Sequence, residues 1–410
     1  MVEIAAQRVV TRTAGRLPVL PAWVILGACA ALLCLRRAGA LTHPQFWAED
    51  AYFFQRAYVL GAPALLEQYA GYYHTILRLV AWAAVALDPS RAPGIFAGCS
   101  ALVTLYVAGR ALSPRCPLPR LWGACALAVV LVPDTYEVFL NDVNLQWVTG
   151  AALVLLLISR DPADKAGWAH DLVAAALISL TGPFSIILAP VFALRAWRRR
   201  TRASAWLAGV VCACALVQAL SVMTQPPADA AIPLARLTPE LVLPAIGRRV
   251  GASLVLGAFT APSTPLYAGA AAGLLTLAGV AFLSLRRGPL REERIMLGLA
   301  FAGILAGSLY RTRHVLEYFF TPLADGRYVY IPQLITLWLL LATAAGPGRA
   351  GRVCRLACLA ALLTNLPRLR EPAYADLHWE RYAPMIREGR RVVVPTNPPG
   401  WWMPLPARAK

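Results

Sequence analysis

Apolar stretches recur along the whole chain, separated by short segments rich in Arg, Pro and Gly. They lie near 19–35, 92–109, 121–135, 145–159, 170–181, 183–196, 204–222, 264–285, 294–310, 328–345 and 353–366. A helix needs about 20 apolar residues to cross the roughly 30 Å of hydrocarbon in a bilayer, and most of these runs approach that length. The pattern predicts an all-α, polytopic transmembrane helical protein of about eleven membrane segments. Two places disturb it. The stretch 72–87 is apolar but short and carries His74 and Arg78. The runs 170–181 and 183–196 are also short and meet at Gly182-Pro183, which fits either a hairpin of short spans or a re-entrant pair.

Loop charges arbitrate the first case. If 72–87 lies in the outer interface instead of crossing, the arginine-rich segments 110–120, 160–165, 195–202, 286–294 and 349–355 all fall on one side. The positive-inside rule makes that side cytoplasmic. Arg8, Arg12 and Arg16 precede an uncleaved first helix and place the N-terminus there too. The predicted organisation is a transmembrane domain over 1–366 and a small external tail over 367–410. A first external loop, 41–90, contains interfacial helices; a second spans 134–145, and further external segments are 223–262 and 311–327. Within the tail, 371–391 reads as partly helical, 391–395 as a short strand and 396–402 as a turn.

Composition agrees with the pattern and narrows the partners. Hydrophobic residues make up 59% of the chain and charged residues 15%, against roughly 25% charged in soluble domains. The net charge of +18 is almost wholly guanidinium, since Lys165 and Lys410 are the only lysines. Its scatter through short loops argues against a nucleic-acid partner and for lipid headgroups and phosphates. All nine cysteines fall in apolar runs or inner loops and read as small core residues. The expected location is a bacterial cytoplasmic (inner) membrane, with which the Ala- and Arg-rich usage of a GC-rich genome is consistent.

The candidate chemistry gathers on the outer side. Glu49 and Asp50 sit among aromatics at a membrane edge, where carboxylates must be solvated, paired or used. Their bland reading is a helix N-terminal pair. Glu137, Asn141 and Asp142 form a second acidic group, which would otherwise cap spans. Arg311, Arg313, His314, Arg327 and Tyr328 flank an outer turn, either as a phosphate clamp or as side chains snorkelling to the interface. His74, Trp401 and Trp402 are candidates for contact with a donor or acceptor, the tryptophans alternatively for interface anchoring.

The order of these elements resembles the GT-C class of membrane glycosyltransferases over about the first two hundred residues. FWAEDAYFF at 46–54, GYYHTILRLVAWAAVALDPSRAP at 71–93 and PDTYEVFLNDVNLQW at 133–147 carry the resemblance. It implies transfer of a sugar from a polyprenyl-phosphate carrier to a cell-envelope lipid or polysaccharide acceptor at the outer face. The first-loop catalytic acid of the class maps onto Asp50, or its neighbour Glu49, and the second-loop acid onto Glu137 or Asp142. The spacing of the second pair departs from Asp-X-Asp; no cofactor is fixed, although Mg or Mn would suit such oxygen ligands.

Elementary chemistry supports the mapping. An acceptor hydroxyl must lose a proton as the sugar–phosphate bond breaks, and a carboxylate within about 3 Å can take it. Arginine forks would stabilise the leaving phosphate. Two other readings compete: a polysaccharide polymerase or ligase of another fold, and a lipid-linked-sugar transporter or flippase. Transporters keep ionisable groups near the midplane and show internal repeats, neither of which is clear here.

Overall fold

The computed structural model describes residues 20–119, 123–133, 135–227, 231–258, 260–321 and 325–408. The basic leader with Arg8, Arg12 and Arg16, together with Arg120, Asp134 and Lys410, lies outside them. The described chain is mostly helical. In order the helices are α1 (Ala22–Arg36), α2 (Asp50–Leu60), α3 (Thr75–Leu87), α4 (Ala92–Leu112), α5 (Ala124–Leu131), α6 (Leu145–Ile158), α7 (Lys165–Ser179) and α8 (Phe184–Arg199). They continue with α9 (Arg202–Thr224), α10 (Pro239–Ile246), α11 (Ser253–Leu256), α12 (Leu266–Leu285), α13 (Arg291–Thr312), α14 (Arg327–Ala344), α15 (Gly348–Asn365) and α16 (Trp379–Arg387).

Among the described residues, four helices are long and apolar enough to cross a membrane: α4 with the turn before it (Pro89–Leu112), α9, α12 and α13. Helices α1, α3 and α6 are apolar but shorter. Helix α6 is central, with every residue but Gln146 buried. It is hydrophobic all round, as a helix enclosed by other helices must be.

Polar contacts sort the helix termini into two ends of one bundle. At the first end Arg110 of α4 pairs with Asp171 of α7 at 3.1 Å, and Arg195 of α8 with Asp161 at 2.7 Å. There, too, Arg199 reaches Glu292 of α13 at 3.1 Å, and Arg294 donates to the Ala342 carbonyl of α14. At the second end His74 bridges Thr181, and Gln218 of α9 accepts the Tyr73 N–H at 2.8 Å. Helix α3 starts at that bridge and stops beside the start of α4, so both its ends lie at the second end and it lies flat across it. Helices α7 and α8 each run from one end to the other. The 170–196 region is therefore a helical hairpin; Gly182 makes its turn at φ +89°, a conformation only glycine adopts freely.

The segment 223–262 is more structured than a loop. It contains α10, a π-helical turn at Gly247–Ala252 and α11. The π turn lets its backbone approach α12 closely, and a Cβ on Gly247 would collide with the Gly269 carbonyl oxygen. Sequence periodicity missed the segment because Pro239, Pro244 and Gly247 read as breakers, whereas tertiary packing overrides such local preferences.

Two short antiparallel hairpins interrupt the helical architecture. Strands β1 (Gln68–Tyr69) and β2 (Tyr72–Tyr73) lie in the first long loop, and β3 (Val392–Thr396) pairs with β4 (Trp401–Leu405) in the tail. Trp401 and Trp402 thus belong to a strand rather than to the expected 396–402 turn, which the hairpin narrows to the residues between Thr396 and Trp401.

The tail is pinned to the second end of the bundle. Glu371 accepts from Arg36 at 2.6 Å, from Arg37 at 2.8 Å and from the Thr135 hydroxyl at 3.1 Å. Trp379 donates to the Ser90 carbonyl at 2.8 Å, and Asn397 donates its N–H to the Phe46 carbonyl at 3.0 Å. Arg36 and Arg37 end an apolar helix and are buried, which is tolerable only with a carboxylate and carbonyls around them.

Candidate active site

The two acidic loops meet at the second end of the bundle, and short-range hydrogen bonding explains how each is shaped. Ahead of α2 the chain is held by the tail: Ala48 donates to the Asn397 carbonyl, and α2 then begins at Asp50. In the 135–144 loop the amide of Asn141 donates to the carbonyls of Glu137 (2.7 Å) and Phe139 (3.2 Å), and its Oδ1 accepts the Asn144 N–H at 3.1 Å. The Asn144 amide also donates to the Glu137 carbonyl, at 2.7 Å. These bonds replace a regular ladder around Leu140, whose φ is +61°.

Asp50 joins the loops. Its Oδ1 accepts the backbone N–H of Asp142 at 3.1 Å and of Val143 at 2.7 Å. Asp142 is buried beside it, and neither of its carboxylate oxygens has a hydrogen-bond partner. Burial raises the pKa of both acids; the Asp50 charge raises that of Asp142 further and the Glu49 charge that of Asp50, while the backbone N–H bonds partly oppose the rise at Asp50. Both are walled off from the cavity described next, so Asp50, Asp142 and Asn141 form a junction between loops.

Glu49 faces the other way. It borders a cavity of about 330 Å³ whose polar side also includes Tyr69, Tyr72, Arg311, Arg327 and Tyr328. Tyr69 donates its hydroxyl to Glu49 at 3.4 Å. The Arg327 guanidinium is fixed by Glu137 and Asp325, both at 3.2 Å, and lies 5.2 Å from the Tyr328 ring centroid. Burial raises the Glu137 pKa, and Arg327 pulls it back down. Arg311 engages the Tyr72 side chain. Ile186 and Ile187 of α8, Val222 of α9 and Ile304 of α13 supply an apolar side. Trp147 and Phe184 meet edge to face at 5.1 Å between the two sides.

The structure thus brings Glu49, His74, Arg311, Arg327 and Tyr328 to one cavity and leaves other candidates elsewhere. Arg313 is buried, donating to the Ile232 carbonyl at 2.9 Å with its guanidinium 4.1 Å from the Tyr310 ring, and His314 follows it outside the cavity wall. Trp401 and Trp402 are 46% and 63% exposed on the tail hairpin and do not line the cavity. Glu137, Asn141 and Asp142 do not converge as a metal-ligand set, because one carboxylate serves Arg327, the amide serves backbone carbonyls and the third group is sealed in the junction. Among the described residues, the three metal-type side chains that do converge are Asp376, His378 and Glu380, exposed on the tail.

Sequence reasoning missed Tyr69, Tyr72, Gln146 and Trp147 as cavity residues. The aromatic density of 69–74 was the available signal for the first two; nothing in a 14-residue apolar helix marks Gln146 and Trp147. Comparison with protein-family models, with curated proteins and with solved structures finds no match to this chain.

Proposed function

We propose that this chain is a membrane glycosyltransferase that moves a sugar from a polyprenyl-phosphate carrier to a cell-envelope lipid or polysaccharide acceptor at the outer membrane face. The observation that carries the reading is the cavity itself: one carboxylate, two guanidinium groups and a wall of aliphatic side chains share about 330 Å³ at one end of a helical bundle. That combination suits a substrate that is part hydroxylated, part anionic and part hydrocarbon.

In this reading Glu49 is the base. It takes the proton of the acceptor hydroxyl as that oxygen bonds to the anomeric carbon, and the bond from that carbon to the phosphate oxygen breaks, its electron pair leaving with polyprenyl phosphate. Arg327 and Arg311 receive the developing phosphate charge. The position of Glu49 on the cavity, against the sealed position of Asp50, favours it over its neighbour. Arg327 begins fixed by two acids and so needs little reorganisation.

The membrane topology belongs to the same reading. Helices α1, α4 to α9 and α12 to α15 alternate in direction between the two ends, which supports eleven membrane segments in a bacterial cytoplasmic membrane. The arginine-rich first end is then cytoplasmic, and the cavity, α3 and the tail face outward. The deciding experiment is transfer of sugar from a polyprenyl-phosphate donor by membranes carrying the protein, compared with Glu49→Gln. Loss of transfer in a folded, inserted variant is expected; full activity would remove the proposal.

A further inference from the structure

His74 and Trp147 stand in the wall of the same cavity, and each carries polar atoms that nothing in the protein satisfies. Nδ1 and Nε2 of His74 and Nε1 of Trp147 are buried without a hydrogen-bond partner. His74 itself is 2% exposed. Leaving such a group unpaired costs about 1–3 kcal/mol, so the arrangement makes physical sense if a ligand completes it.

Building on the transferase reading, we propose that His74 and Trp147 form a sugar-ring subsite in which the neutral imidazole and the indole N–H read ring hydroxyls. A neutral imidazole offers one donor and one acceptor, which matches a hydroxyl, while the indole offers a donor alone. A phosphate would be repelled by the imidazole acceptor, and the cavity already places two arginines for it.

The surroundings keep His74 neutral. Burial and the Arg78 guanidinium hold its pKa down at about 3, and the Tyr69 backbone acts the other way without closing a hydrogen bond of normal geometry. So low a value makes His74 a poor proton acceptor near neutrality, which leaves recognition as its use. The ring centroids of Tyr72, Phe53 and Tyr69 lie 5.2, 5.4 and 5.9 Å from the imidazole. Trp147 packs edge to face with Tyr328 at 5.0 Å. Aromatic faces and edges of this kind accommodate the C–H surface of a sugar while the two nitrogens take its hydroxyls. Because the nitrogens are closed to water, binding must turn the tyrosine collar aside, a small rearrangement of the kind common at binding sites.

The experiment uses the full chain in detergent or nanodiscs with His74→Phe, His74→Asn and Trp147→Phe. Removing the unpaired buried imidazole in His74→Phe should leave the melting temperature unchanged or higher. Transfer from the preferred sugar donor should fall about 10–100-fold in kcat/KM, with discrimination against one deoxy-sugar donor lost and His74→Asn recovering part of it. The thermal shift produced by sugar-free polyprenyl phosphate should not change. Transfer and discrimination equal to wild type in His74→Phe would overturn the subsite, as would a lowered melting temperature together with lost polyprenyl phosphate binding. If wild type transfers no sugar but free monosaccharides stabilise it and fail to stabilise His74→Phe, the transferase reading fails and the subsite stands. Absence of both transfer and any monosaccharide shift in wild type overturns the subsite as well.

Discussion

The carboxylate of Asp50 holds the backbone of Asp142, accepting its N–H at 3.1 Å while the Asp142 side chain lies buried alongside with no partner of its own. The first acidic loop is therefore locked to the second through the Asp50 carboxylate, which also accepts the Val143 N–H. Asp50→Asn retains an acceptor oxygen for the two N–H groups and should fold normally. Asp50→Ala orphans both and should cost about 1–3 kcal/mol, read as a lower melting temperature in detergent.

The same pair predicts a pH dependence. Both acids have raised pKa values in the folded protein, so the folded state binds more protons than the unfolded one at pH values above the ordinary carboxyl range, about 4. Their contribution to stability is complete below that range and is lost as pH rises toward the folded values. A melting-temperature profile across mildly acidic to mildly alkaline pH should fall with pH in wild type and fall less steeply in Asp50→Asn.

Glu49 borders the cavity and accepts from Tyr69, so in the proposed transferase the loss of its charge is expected to reduce transfer more than stability. Glu49→Gln should lower kcat by about 10²–10⁴-fold with little change in KM, whereas Asp50→Asn should retain most of its activity. Steady-state transfer assays on the two variants side by side separate the neighbours.

Arg327 is held by Glu137 and Asp325 at the cavity edge. Arg327→Lys keeps the charge but loses the planar fork, and should raise KM for the lipid-phosphate donor roughly tenfold or more. Direct binding of polyprenyl phosphate, measured by thermal shift, should weaken in parallel.

Glu371 bridges Arg36 and Arg37, all three buried. Glu371→Ala leaves two cations sealed in the protein and should destabilise it by about 3–5 kcal/mol, with the tail becoming susceptible to proteolysis. Reduced melting temperature and cleavage ahead of α16 are the expected readouts.

Much of the helical order was legible from apolar runs alone. The runs near 92–109, 204–222, 264–285 and 294–310 correspond to the four helices long and apolar enough to cross a membrane. The shorter runs blurred, because a buried helix such as α6 needs no amphipathic stripe and a strand or a turn can look the same over eight residues. Glu49, Arg311 and Arg327 stand out in the sequence by charge between apolar runs, with Tyr328 beside Arg327, and the structure gathers them. Arg313 carried the same signal but is spent on the Ile232 carbonyl and the Tyr310 ring, a distinction that requires knowing where its side chain lies.

The sequence by itself determined the helical class, the position of the long apolar helices and the acidic and basic groups available, because hydrophobic periodicity and net composition are local properties. Tertiary structure alone decided which of two adjacent carboxylates faces a cavity. Consecutive residues entering a helix project about 100° apart, so the bond from Asp50 to the Asp142 and Val143 backbone sends one carboxyl inward and leaves Glu49 on the cavity wall. That choice depends on a contact between residues 92 and 93 positions apart, and no local pattern encodes it.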